Sequence, residues 1–187
     1  MKLGEFQEEY EKLDLDLQVH TLMLIDIAND ISKTAKKKFD KRKFIACAVL
    51  HDTKNHEKEH AQVSAEYAKK FLTKKKFPKK LIEEVSEAIY CHTNKPKVND
   101  FTIACFYDAD ILCRFYALGV LRAWNNIRSD KNRDWRKLFR KVSKIKNLNS
   151  YIKMMNKKLQ LKASKELLKT KTDEYIFAHQ LIGRLIA

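Results

Sequence analysis

Three glycines and two prolines in 187 residues leave this chain few of the tight turns that neighbouring strands require. Period-2 alternation between turn signals is scarce, and apolar residues recur at helical spacing instead. Leu13, Leu17, His20, Leu24, Ile27 and Ile31 keep a 4-3-4-3-4 rhythm, an inward stripe within a helix expected from about Phe6 to Ala35. The fold class is therefore all-α. A chain of this length can bury a sizeable core as one domain without staples. Cys47, Cys91, Cys105 and Cys113 show no CxxC spacing and lie in apolar stretches, which fits reduced, buried thiols.

Helical periodicity continues along the chain. Lys36 to Lys38 and Asp40 to Lys43 form an exposed connection into a second helix, in which Phe44, Cys47, Ala48 and His51 fall at i, i+3, i+4 and i+7. A polar turn from Thr53 to Glu59 follows, with His56 expected at its rim. The third helix then sets His60, Ser64, Tyr67, Ala68 and Phe71 on one face. Pro78 suits the first turn of a fourth helix, where Leu81, Val85, Ala88, Ile89 and His92 are in phase. A fifth starts near Asn99 or Asp100, both good caps, and aligns Ile103, Phe106, Tyr107, Asp110, Arg114 and Ala117. Gly119 to Trp124 continue or kink it. Trp135 to Val142, Tyr151 to Leu168 and a last helix from about Thr172 are amphipathic, and His179 reads as packing.

The chemistry gathers on the inward stripes. His51 and Asp52 are adjacent metal-competent side chains at the end of an apolar helix. An unpaired imidazole and carboxylate in a core are costly, and one cation satisfies both. His20, His60, His92 and Asp110 lie on four other helices, again on inward stripes or at their ends. A lone histidine on an apolar face is usually a satisfied core residue. Six such groups are harder to satisfy one at a time, so their joint occurrence favours a metal. Asp108 lies round from the Asp110 face and is expected to be a surface carboxylate or to support a ligand from behind.

The order His … His-Asp … His … His … Asp resembles that of the HD-domain superfamily of metal-dependent phosphohydrolases. The matching text is Val19-His20, Ala46 to Asp52, His60 to Ala65, Ala88 to Thr93 and Asp108 to Leu112, across roughly residues 12–124. The resemblance implies an HD-type helical bundle with His20, His51, Asp52 and Asp110 as core metal ligands. Asp110 is chosen over Asp108 because the family's last ligand precedes an x-Leu step, as in Asp110-Ile111-Leu112, and helix phase agrees. It implies too that His60 and His92 hold a second metal in dinuclear members and face substrate phosphate in mononuclear ones. Small stand-alone members often read Asp-Ala-Asp-Arg-Leu-Asp, where this chain has Ile111 and Cys113 in place of the Arg and the final Asp. Arg122 matches a trailing Arg in those members and is a candidate for an anionic substrate.

From ligand type follow a divalent cation (Mn, Fe, Co, Ni, Zn or Mg) and water activation at a phosphoryl group. Asp52 is expected to ligate and to orient that water. Lys54, His60 and His92 are expected to neutralise charge or protonate the leaving oxygen. The expected reaction is hydrolysis of a phosphoester or phosphoanhydride, most simply of a nucleotide. The alternatives are a dinuclear-iron oxygenase and a non-catalytic nucleic-acid-binding module.

Charge supports an anionic partner. The net charge is +15, and residues 125–187 hold 17 Lys/Arg against 5 Asp/Glu, a net +12. The expected organisation is a metal-binding core over residues 1–124, with basic amphipathic helices over 125–187 packing on it within the same domain. Nucleic acid is a candidate partner for that basic region. No apolar run approaches the roughly 20 residues of a membrane span, and the start is not a signal sequence, so the expected location is cytoplasmic.

Overall fold

The computed structural model describes residues 3–129 and 144–185. Among them the chain is all-α, as its periodicity requires. The helices are α1 (Gln7–Glu11), α2 (Leu15–Ala35), α3 (Lys41–Leu50), α4 (His60–Lys74), α5 (Lys79–Tyr90), α6 (Phe101–Leu112), α7 (Ala117–Ser129), α8 (Ile145–Lys158) and α9 (Lys162–Leu185), with 3-10 turns at Gly4–Phe6 and Cys113–Phe115. No described helix is long and apolar enough to cross a membrane. The four cysteines are free thiols. The chain divides into two compact units, Met1–Tyr107 and Asp108–Ala187. The amphipathic segment around Trp135 lies outside the described residues.

In the first unit the expected long opening helix is two. Asp14 interrupts it, its carboxylate accepting the Leu17 N–H at 2.8 Å as the cap of α2. Short of glycine, the chain gives several left-handed backbone positions to lysine. Lys36 closes α2 at φ 52°, and Lys76 and Lys95 sit at φ 57° and 49°, each at a cost of about 1 kcal/mol against glycine. Leu24, Ile27, Ala28 and Ile31 of α2 are fully buried, as are Phe44, Ala46, Cys47 and Leu50 of α3. Thr21 donates to the Ala48 carbonyl at 3.3 Å, bonding these two helices directly.

Lys43 is not part of an exposed connection. It is buried on α3, and its ammonium meets Glu84 at 2.6 Å and Asp100 at 2.8 Å. Asp100 also caps α6 by accepting the Ile103 N–H at 3.0 Å. One lysine thereby ties α3, α5 and the start of α6.

In the second unit Asp108 departs furthest from expectation. It is fully buried, and its two oxygens accept the Gln160 N–H at 2.9 and 3.2 Å and the Leu161 N–H at 2.9 Å. Burial pushes its carboxyl above the usual range, and the Gln160 and Leu161 N–H groups pull the other way. Asp108 is thus neither a surface carboxylate nor a support for a ligand: it caps the last helix from 52 positions away. This explains why the helix expected over Tyr151 to Leu168 breaks at Leu159–Leu161, and why the last helix starts at Lys162 and not near Thr172.

The fifth helix also ends early. Tyr116 is extended, and Gly119 then passes so close to the previous turn that a Cβ would lie 1.7 Å from the Cys113 carbonyl oxygen. Aromatic rings fill this unit: Tyr175 packs on Phe115 at 4.7 Å and on His179 at 4.4 Å, and Trp124 lies 5.0 Å from His179. His179 is packing, as read from sequence, and its burial lowers the imidazole pKa to about 4.

Two outcomes follow. Asp108→Ala should lower unfolding free energy in urea by roughly 2–3 kcal/mol, because two helix-start N–H groups lose their acceptor. Asp108→Asn, which keeps an acceptor, should recover part of that loss, and an alanine variant as stable as wild type would contradict the capping role. The second concerns acid. His179 takes its proton near pH 6.5 unfolded and near pH 4 folded, so its contribution is complete above pH 6.5 and lost as pH falls towards 4. A His179→Phe variant should flatten that limb of the stability curve by on the order of 2 kcal/mol. Parallel limbs in the two proteins would refute the assignment.

Candidate metal centre

Two helix ends build the centre in the same way. His51 follows the last residue of α3, and His92 lies two residues past α5. Each ring folds back on its own helix: Nδ1 of His51 lies 3.0 Å from the Ala48 carbonyl, and Nδ1 of His92 lies 2.6 Å from that of Ile89. A carbonyl only accepts, so Nδ1 carries the proton in both rings and Nε2 is the acceptor nitrogen of the neutral form.

Both Nε2 atoms turn to one carboxylate. His51 Nε2 is 3.3 Å from Asp52 Oδ2, and His92 Nε2 is 3.5 Å from Oδ1. With neutral rings, acceptor faces acceptor at each contact, an arrangement relieved only by positive charge at the site. Two further imidazoles extend the row. Ring centroids are 5.3 Å apart for His20 and His51, 5.3 Å for His51 and His92, and 5.2 Å for His92 and His60. Phe106 closes the dry side, 5.4 Å from His51.

Within the first unit two ligand groups result. One atom each of His20, His51 and Asp52 lie within 4.8 Å of one another, and so do atoms of Asp52, His60 and His92. Asp52 belongs to both. His20, His51 and His92 are buried, whereas the Asp52 side chain is 25 % exposed and His60 is half-buried, so the water-facing side of the cluster is theirs. Burial alone would raise the Asp52 carboxyl. When protonated, the adjacent His51, then His92 and His20, outweigh it and hold Asp52 far below the carboxylate range. This donor set fits a borderline divalent cation: imidazole nitrogens with their tautomers fixed by backbone carbonyls, and a carboxylate that stays ionised.

The flanking residues are placed as follows. Lys54 donates its backbone N–H to Ser64 Oγ at 3.2 Å and holds its ammonium 5.2 Å from the Tyr67 ring centroid. The Tyr67 hydroxyl donates to Glu9, which is buried and paired with Lys12 at 2.6 Å. Burial and then Glu9 push the Tyr67 hydroxyl up to about 12. Sequence gave no sign of Glu9 in this role, since it sits among charged residues on a short helix. A cleft of about 240 Å³ adjoins His60, lined also by Gln62, Tyr90, Thr93 and Asn94. His56 is exposed, as expected for a rim residue. Asp110 is buried on the part of α6 that belongs to the second unit, and Arg122 is half-buried on α7.

The family model described as HD domain matches residues 18–115. No curated protein matches the chain. The crystal structure of a predicted HD superfamily hydrolase from an uncultured Thermotogales bacterium is similar at 23 % identity, covering 98 % of this chain and 88 % of that one, with a TM-score of 0.59. That likeness shows the fold.

Metal binding has a direct readout in stability. Mn²⁺ at about 100 times its Kd should stabilise the chelator-treated protein by about 2.7 kcal/mol, several degrees in melting temperature. His51→Ala should abolish the shift. Identical melting curves with and without metal would remove the cation from this site.

Proposed function

This chain belongs to the HD-domain family, and on that premise we propose that it hydrolyses a phosphoester or phosphoanhydride bond in a nucleotide-like substrate with the help of a divalent metal. Family membership and the His/Asp groups support a metal-dependent phosphohydrolase in general; the nucleotide is our own extension. The observation that carries the reading is Asp52, ionised between two imidazoles whose Nε2 atoms both face it. His20, His51 and Asp52 would hold the cation. Asp110, four residues past Phe106 on the same helix, is the proposed fourth ligand, in keeping with the residue order of the family. A cation there would polarise a phosphoryl oxygen and lower the pKa of a water.

The residues of the chain supply the rest. The more exposed edge of Asp52 orients the attacking water by accepting one of its hydrogens. His60, on the open side, and His92 behind it are the proposed contacts of a non-bridging phosphate oxygen and, when protonated, the proposed acids for the leaving oxygen. The Lys54 ammonium, steadied over Tyr67, offers charge to the same phosphate, and Arg122 is a proposed second anionic contact. The cleft beside His60 supports the nucleotide extension. Its aromatic ring, amides and hydroxyl are groups that suit a nucleobase and its sugar.

Asp52→Ala should lower phosphate or pyrophosphate release from a nucleotide panel with Mn²⁺ by at least about 10³-fold, with the fold retained by circular dichroism. A metal-replete protein inert towards the whole panel would sink the assignment. A second reading rests on Asp52 belonging to both ligand groups, an arrangement that also suits two metals. Two irons per chain by elemental analysis, with a mixed-valent signal and no phosphate release, would favour oxygen chemistry instead.

A further inference from the structure

Helix α8 carries charge of one sign only. Several lysines elsewhere have carboxylates within reach: Lys12 with Glu8 and Glu9, Lys43 with Glu84 and Asp100, Lys79 with Glu83, Lys162 with Glu166, Lys171 with Glu174. Between Ile145 and Lys158 there is no acidic residue at all. Among the described residues, none of the lysines of α8 has an ion-pair partner.

The placement of these lysines is regular. Lys146, Ser150, Lys153 and Lys157 follow at i, i+4, i+7 and i+11, so they form one stripe along the helix, and all four are exposed. Leu148, Met155 and Leu159 occupy the opposite side and are 1 %, 4 % and 3 % exposed. At 1.5 Å per residue the stripe is about 16 Å long. Asn149, whose amide can donate to an anion, borders it, and the Ser150 hydroxyl is committed to the Lys146 carbonyl at 2.9 Å.

We propose that this stripe of α8 binds the phosphate backbone of a nucleic acid. Three classes of partner take a cationic helix face, and the structure separates them. An anionic membrane surface requires an apolar face to bury, but the apolar face of α8 is already packed inside the second unit. A protein partner requires a cluster of aromatic or aliphatic anchors at the centre of the contact, and the stripe has none, with Met154 alone exposed at its flank. Backbone contact with a nucleic acid needs only cations and small hydrogen-bonding side chains at the surface. That is the composition of this stripe. Lysine without arginine or an exposed aromatic ring gives charge but no base reading, so binding is expected to be independent of sequence.

The test uses the full chain and a fluorescein-labelled 20-nucleotide single-stranded RNA of mixed sequence, read by anisotropy between 50 and 200 mM KCl. Three phosphate contacts give a slope of log K against log salt near −2, or roughly an 18-fold loss across that range. The triple variant K146Q/K153Q/K157Q should lose at least 10-fold in affinity at 50 mM while keeping wild-type circular dichroism, melting temperature and phosphate release. K79Q/K80Q, which removes lysines that lie beside carboxylates, should bind like wild type. No binding at 50 mM KCl, equal binding by the triple variant, or a preference for vesicles with 30 % anionic phospholipid over the RNA would each overturn the proposal.

Discussion

A half-buried carboxylate flanked by imidazoles is the constraint around which the first unit is arranged. Asp52 lies between two Nε2 atoms, in a place where neither neutral rings nor an ionised acid can stand without compensating charge. The backbone sets this up. The carbonyls of Ala48 and Ile89 take the Nδ1 protons, and both belong to the last turn of a helix, where carbonyls have no intrahelical partner. Carbonyls at two helix ends thus fix two tautomers.

Rigidity around that point comes from polar ties as well as from packing. Thr21 bonds α2 to the same Ala48 carbonyl that orients His51. Lys43 draws α3, α5 and the Asp100 cap of α6 together. A carboxylate and several imidazoles can be kept within 4.8 Å only if the helices bearing them cannot slide, and buried charge-assisted hydrogen bonds supply direction that apolar contact lacks. The open side is looser in composition, with Asp52, His60, Lys54 and the cleft beside Tyr90 facing water, as a substrate would require.

Much of the metal centre was legible because its residues share a phase. His20 falls on the α2 stripe, His51 ends the Phe44–Cys47–Ala48 face and His92 ends that of Val85 and Ile89, so periodicity alone turns them inwards. The supporting residues follow no such rule. Glu9 and Lys43 sit in charged stretches and look solvated, yet both are buried with partners 58 and 57 positions distant. Asp108 departs from its sequence pattern for the same reason: its partners are backbone N–H groups, which every residue but proline possesses, and no side-chain pattern marks which of them a distant acid will cap.

The sequence by itself determined the helical class, the inward faces and the ordered set of histidines and aspartates, since all three are consequences of local spacing. Only the tertiary structure decided where the long helical patterns break, which charges are buried, and that His51 and His92 meet on a single carboxylate. These depend on contacts between segments far apart in the chain. A hydrogen bond across 52 residues leaves no periodic trace in the letters that make it.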